Sequence, residues 1–111
     1  MKLKIMAEGQ RYFHQNLFGF ARQCTCAEAI QLHFGNIALL LSHPQLKDFS
    51  AFVTETIMHE SAVEDRTARC IYLPTRDMAL MFALSYTELL LLDEILNQTI
   101  MMIEIDKLLS N

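Results

Sequence analysis

Two stretches of this chain carry the same succession of apolar and polar positions. Residues 30–58 match residues 71–101 once a two-residue insertion is allowed for, beginning Ile-Gln-Leu in the first copy and Ile-Tyr-Leu in the second. In each copy, two short apolar runs with a break between them indicate a β-hairpin. A longer segment with apolar residues three and four apart follows and indicates a helix. The pattern predicts two ββα units, at residues 28–60 and 68–110.

Both predicted helices begin with the same capping signature. Ser42 with Gln45, and Ser85 with Glu88, have the S-x-x-E/Q spacing, in which the serine hydroxyl and the third helical side chain each accept a backbone N–H. Pro44 stands in the first turn of the first helix, where a missing N–H costs little. We therefore expect helices that start at these two serines, and the shared chemistry argues against chance similarity.

The remaining segments complete the predicted fold. Residues 11–24 contain two short runs with a break at 15–19 and predict an N-terminal hairpin. The polar residues 59–69 predict the loop between the units, and residues 1–9 form either a strand or a loose arm. We predict the α+β class: a two-layer fold in which one antiparallel sheet carries two helices, built from two ββα repeats preceded by the hairpin.

The second helix, expected from Ser85 to about Leu109, is apolar on two sides. One stripe has the periodicity of a core-facing surface and contains Leu89, Leu92, Leu96, Ile100 and Ile103. A separate strip on the far side, here named the outer strip, consists of Leu90, Met101, Ile105 and Leu108. One sheet cannot cover both sides, and each apolar side chain left in water forgoes about 1.5–3 kcal/mol. We therefore predict a homodimer with the outer strip as its interface.

Composition narrows the class of protein. The chain has 111 residues, which predicts a single domain over residues 1–111. Its 52% hydrophobic and 20% charged content excludes a disordered chain. No apolar run of about 18 residues and no signal peptide is found, so we expect no membrane association and a cytoplasmic location.

Charge is unevenly distributed along the chain. The net charge is −4, but residues 1–47 hold five basic and two acidic residues, whereas the remainder holds four basic and eleven acidic ones. A nucleic-acid interface needs a clustered basic face, and these basic residues are few and scattered. We therefore expect no nucleic-acid partner.

Cysteines and histidines are the residues that suggest a metal site. Cys24, Cys26 and Cys70, with His33 or His14 as the fourth ligand, form a candidate zinc set, although the C-x-C spacing departs from the usual C-x-x-C. Small buried thiols are the alternative interpretation. An odd number of cysteines without an export signal favours reduced thiols over disulfides.

No catalytic motif is found. His59-Glu60 resembles the start of H-E-x-x-H, but Val63 stands where the second histidine is needed. The glycines form no phosphate-binding loop. We expect no enzymatic activity.

Two further groups of side chains have an ordinary structural interpretation. Aromatic residues close to Arg22 are either a ligand platform or, as we favour, the cover of one end of the core: Phe13, Phe18 and Phe20. The acidic residues of the second helix are interpreted as its solvated face, with one of them in the capping box: Glu88, Asp93, Glu94, Glu104 and Asp106.

Four segments together resemble a family of small, uncharacterised bacterial proteins: Gly19–Cys24, Ile30–Asn36, Ile71–Thr75 and Ile103–Leu109. The most specific is the I-Q-L-x-F-G segment, which C-x-x-C precedes in some members. Cys24 matches the first cysteine of that motif, but Ala27 stands at the second, so the resemblance does not carry a zinc site over. It also implies no catalytic residue.

The sequence therefore favours a non-enzymatic cytoplasmic interaction or structural module that acts as a homodimer. The alternative is a metal- or small-ligand-binding protein that uses Cys24, Cys26, Cys70 and a histidine, with zinc as the candidate cofactor. An interaction module should present an apolar patch, whereas a ligand site should show thiol and imidazole groups converging on a pocket.

Overall fold

The computed structural model describes residues 11–24, 29–75 and 80–109. Within these ranges the chain forms six strands and two helices. In chain order they are β1 (Arg11–Gln15), β2 (Gly19–Cys24), β3 (Ala29–Phe34), β4 (Ile37–Leu41), α1 (His43–His59), β5 (Ile71–Pro74), β6 (Met81–Leu84) and α2 (Tyr86–Leu109). The predicted α+β class is confirmed.

Strands β1 to β4 form an antiparallel meander in which each strand pairs with the next. Alternation along β3 buries Ile30, Leu32 and Phe34 on one face and leaves Gln31 and His33 on the other. The helices cover the buried face, with α2 over β1 and β2 and α1 over β3 and β4. The opposite face of this sheet is not covered by any described helix or strand.

Two glycines permit this meander for different reasons. Gly35 has φ +59° in the two-residue turn between β3 and β4, a conformation that side-chain-bearing residues rarely adopt. Gly19 lies so close to β3 that a Cβ atom there would be 1.9 Å from the carbonyl oxygen of His33. The pairing of β2 with β3 therefore depends on the missing side chain.

Strands β5 and β6 pair with each other in a separate two-stranded sheet. The prediction of one continuous sheet is therefore wrong. This hairpin joins the core through side chains, and Phe82 meets Phe34 edge-on with ring centroids 5.4 Å apart. Alternation of apolar and polar residues indicates which face of a strand is buried, but it does not indicate which strand is the hydrogen-bonding neighbour. The sequence pattern therefore could not show that β4 and the β5–β6 hairpin belong to separate sheets.

Both predicted capping boxes are present. Ser42 Oγ accepts the N–H of Gln45 at 3.2 Å, and Gln45 Oε1 accepts the N–H of Ser42 at 2.9 Å. Ser85 and Glu88 exchange the corresponding bonds, both at 3.0 Å. Each helix begins one residue after its serine, as the signature predicts.

Helix α2 supplies the largest share of the core among the elements. Its buried residues are Tyr86, Leu89, Leu92, Ile95, Leu96 and Thr99, and Ile100, Met102 and Ile103 pack against them while half-buried. Three members of the predicted stripe are therefore fully buried and the other two are partly buried. The core is completed by β-strand side chains and by Leu46 and Val53 of α1.

The order strand, strand, helix occurs twice, as β3-β4-α1 and β5-β6-α2. The two pairs of strands differ in their surroundings, because the first belongs to the four-stranded sheet and the second stands alone. The predicted apolar run of the second unit begins at Met78 and Ala79, which lie outside the described residues, and β6 begins at Met81. The internal repeat stays a prediction.

Candidate functional site

The outer strip of α2 is exposed along its whole length. Leu90 is 40% exposed, Met101 46%, Ile105 40% and Leu108 77%. At 100° per residue these positions lie opposite the buried face of the helix. The predicted strip is therefore an apolar surface that no described residue buries.

The outer strip is divided into two parts. Leu90 precedes Met101 by eleven residues, which is about 16 Å along a helix with a rise of 1.5 Å per residue. Glu94 and Asn97 are exposed on the same side of the helix between them. Met101, Ile105 and Leu108 form the continuous part, near the C-terminal end of α2.

Polar contacts to α1 occupy one flank of the strip. The helices run antiparallel, so that the beginning of α1 lies beside the end of α2. Four side-chain pairs join them: Thr54 Oγ1 donates to Asp93 at 3.2 Å, Ser50 Oγ donates to Asn97 at 3.2 Å, Lys47 Nζ lies 3.3 Å from Glu104, and Lys107 Nζ lies 2.8 Å from His43 Nδ1. The polar side chains on this flank are thus already paired within the chain.

Side-chain contacts to β1 occupy the other flank. His14 Nε2 lies 2.5 Å from Glu94 Oε2, and the guanidinium of Arg11 forms a two-pronged ion pair with Asp106. Nearby, the Asn16 side-chain amide donates to the carbonyl of Leu91 at 2.9 Å. These contacts fix α2 over the edge of the sheet.

The acidic residues of α2 are exposed or half-buried, as expected of a solvated face, and they are in addition paired with side chains of other elements. Glu88 is also paired, because Arg69 donates to it from Nε and Nη2, the latter at 2.7 Å. The hydrogen bond from Arg69 lowers the pKa of Glu88, and the same contact raises the pKa of Arg69. The partners of these carboxylates include three residues from the basic first part of the sequence: Arg11, His14 and Lys47. The uneven charge distribution along the sequence therefore corresponds to contacts between its two parts in the fold. Sequence reasoning missed these partners because 57 to 95 positions separate them.

The candidate zinc set is not brought together. Cys24 pairs with Ala29 at one end of the β2–β3 ladder, whereas His33 pairs with Phe20 four positions further along, about 13 Å away at 3.3 Å per residue. Zinc ligands lie within about 2.3 Å of the metal, so these two cannot share an ion. Cys70 is exposed just before the other sheet. Cys26 lies outside the described residues, and the described part contains no group of three or more potential ligands.

The aromatic residues near Arg22 divide between the two faces of the sheet. Phe13 is buried in the core and Phe18 packs against it, as favoured, whereas Phe20 lies on the uncovered face. There Phe20 stacks on His33 with ring centroids 4.4 Å apart, and the Arg22 guanidinium lies 5.7 Å from the Phe20 ring.

Polar contacts complete this cluster on the uncovered face. Arg22 Nε donates to Gln31 at 2.6 Å and Nη1 donates to Tyr12 Oη at 3.3 Å. Burial, and secondarily the charge of Arg22, lower the pKa of His33, so its imidazole is neutral at neutral pH. The aromatic rings and the guanidinium contact one another across neighbouring strands. We therefore interpret this cluster as a set of cross-strand contacts that stabilises the sheet.

Comparisons with known proteins place the chain in a family. A family model described as a family of unknown function, DUF6686, matches residues 6–110. No curated protein and no solved structure matches the chain at a significant level. In the described part of the chain, neither helix has an apolar stretch that could cross a bilayer. The match gives no sign of catalysis. Because it covers nearly the whole sequence, it confirms the expected resemblance, and the chain belongs to the family of unknown function DUF6686.

Proposed function

We propose that this protein is a non-enzymatic interaction or structural module that acts as a homodimer through the outer strip of α2. The observation that carries the proposal is the exposure of four large apolar side chains on the side of α2 opposite the core. Apolar surface of this kind on a helix indicates contact with another chain. A second copy is the partner we favour, because twofold dimers are the commonest oligomers.

The flanks of the strip support this choice. Burial of a charged group without a partner costs several kcal/mol. The charges beside the strip already have partners, since Glu94 and Asp106 pair with β1 and Glu104 pairs with Lys47. A second helix can therefore cover the strip without isolating a charge.

The proposal includes the cytoplasm as the location and two copies of one ββα repeat as the origin of the fold. The odd cysteine count and the exposed thiol of Cys70 support a reducing compartment. The equivalent serine-based capping boxes of α1 and α2, one with Gln45 and one with Glu88, support the repeat. Superposition of the backbones of β3-β4-α1 and β5-β6-α2 tests the repeat, which fails if only the helices superpose.

Light scattering coupled to gel filtration tests the dimer. We expect twice the chain mass for the natural protein and a folded monomer for the double variant Leu90→Glu with Ile105→Glu. Tyr72→Glu is the matched control, because Tyr72 is an exposed apolar residue of β5 outside the strip, and it should stay dimeric. A natural protein that is monomeric throughout the micromolar range contradicts the proposal.

A further inference from the structure

The four-stranded sheet has two edge strands, and the described residues protect only one of them. β1 contains a register shift between Tyr12 and His14, and its Arg11 and His14 side chains are held against α2. β4 reads Ile-Ala-Leu-Leu-Leu, without a charge, a proline or an irregularity in its pairing. Proteins normally protect an edge with one of these devices, because an open edge can pair with another chain. The unprotected β4 edge therefore indicates a strand that pairs with another chain.

The hydrogen-bonding groups on this edge can be identified from the turn. A two-residue turn at 35–36 makes Phe34 and Ile37 a hydrogen-bonded pair, and such pairs alternate with non-bonded ones along an antiparallel ladder. Ala38 and Leu40 are therefore the residues whose N–H and C=O groups point away from β3. Both are exposed, Leu40 by 60%, and no described residue forms a hydrogen bond to these groups.

An apolar groove runs beside this edge, between β4 and the β5–β6 hairpin. Its larger part is a cavity of about 410 Å³ lined by residues 39–41 of β4, by Phe49 and Phe52 of α1, and by Pro74 and Phe82 of the hairpin. This volume lies in the range of ligand-binding clefts.

A second hollow of about 330 Å³ lies at the other end of β4. Ile37 at the start of β4 and Ala83 of β6 are among the residues that line it. Hollows therefore lie beside both ends of β4, where an added strand would place its side chains.

The rim of the groove on α1 is acidic. Asp48 lines the cavity, and Glu55 lies two helical turns further along the same side of α1. Neither carboxylate forms an ion pair with a described residue, whereas Lys47 beside them is held by Glu104. At the other end of the groove Arg69 is already bound to Glu88. The unsatisfied charge of the groove is therefore negative, and it complements a basic occupant.

We propose that the β4 edge and this groove bind an extended peptide segment of a partner protein. The peptide adds a strand to β4 by hydrogen bonds to Ala38 and Leu40, places alternate apolar side chains in the groove, and carries lysine or arginine next to Asp48. In this mode of recognition the main chain supplies affinity and the alternate side chains supply specificity. The site is separate from the outer strip of α2.

The test uses a fluorescent peptide that alternates valine and lysine, with affinity measured by anisotropy on the full chain. Ala38→Pro removes the outward N–H and leaves the β3 ladder intact, because proline is tolerated at such positions of edge strands. Loss of that hydrogen bond should weaken binding about tenfold. Ala38→Val is the matched control, since it retains the N–H, and it should bind like the natural protein. Asp48→Asn should also weaken binding, and added salt should narrow that difference.

Several outcomes would overturn the proposal. Absence of saturable binding would do so, as would equal affinities of the natural protein and Ala38→Pro. If Ala38→Pro changes the mass of the protein in light scattering, the edge belongs to a second copy of this chain. If Ala38→Pro does not fold, a peptide methylated on alternate backbone nitrogens tests the same hydrogen bonds, and unchanged binding of that peptide refutes the added strand.

Discussion

Truncation of Leu108 should weaken the proposed dimer far more than truncation of Ile105, although both residues belong to the outer strip. The structure sets this order, because Leu108 is 77% exposed in the protomer and Ile105 is 40% exposed. A side chain can gain from association only through the surface that is still in contact with water. Leu108 therefore has about twice as much to lose.

The magnitudes follow from the size of the side chain removed. Leucine or isoleucine to alanine deletes three carbons, which at about 0.8 kcal/mol each are worth about 2.4 kcal/mol on complete burial. Scaled by exposure and counted in both protomers, Leu108→Ala should cost the dimer about 4 kcal/mol and Ile105→Ala about 2 kcal/mol. These values correspond to dissociation constants raised several hundredfold and about twentyfold.

The absolute affinity can be bounded in the same way. The exposures of the four strip residues together amount to about two fully exposed side chains in each protomer, worth about 6–12 kcal/mol for the pair of protomers. Association costs about 4–15 kcal/mol in lost freedom of motion. The dimer that the light-scattering test expects therefore needs the upper end of this gain and the lower end of this cost, a difference of about 8 kcal/mol, which corresponds to a dissociation constant of about 1 μM.

Sedimentation equilibrium over a range of concentrations measures these constants, and urea unfolding of the dilute monomer provides the control. Substitutions at exposed positions usually change stability by less than about 0.5 kcal/mol, so both variants should unfold like the natural monomer. Equal effects of the two substitutions would refute the reasoning from exposure. A large loss of monomer stability in Ile105→Ala would show that the strip belongs to the core.

Three further predictions concern the fold. Thr99→Val should stabilise the protein by about 1 kcal/mol in urea unfolding, because the Thr99 hydroxyl is buried without a hydrogen-bond partner among the described residues; a destabilised variant would contradict this. The pKa of Glu88 is lowered in the folded state, so its ionised carboxylate contributes to folding stability above the ordinary pKa of about 4.3, and this contribution is lost as pH falls through the folded-state pKa. Glu88→Gln retains the capping hydrogen bond and should therefore lose less stability than the natural protein when the solution is acidified. An unchanged dependence of stability on pH would argue against the Arg69 contact. Gly19→Ala should lower the melting temperature sharply, because its Cβ would collide with the backbone of His33, and a normal melting temperature would show that β2 can shift.

The accuracy of the sequence predictions depends on the range of the interaction. Capping needs residues three apart, so both boxes could be found from spacing alone, and the exposed side of α2 followed from its periodicity. Contacts between distant parts of the chain leave no such pattern. The gap between β4 and the β5–β6 hairpin and the pairing of Arg11 with Asp106 were accordingly missed. The zinc hypothesis failed for the same reason. The separation of Cys24 and His33 depends on how their strands pair, and their spacing in the sequence does not show it.

The two proposed surfaces differ in what they can bind and where they lie. The outer strip offers side chains and no unpaired backbone, since helix hydrogen bonds are internal, so any partner must bury apolar surface. The β4 edge offers unpaired backbone groups, so its partner must be extended. Because α2 covers β1 and β2 whereas β4 ends the sheet on the side of α1, the two surfaces lie on different elements and share no residue. A dimer built on α2 would therefore leave both β4 grooves open, and a partner with two extended segments could bind it with an affinity raised by their linkage.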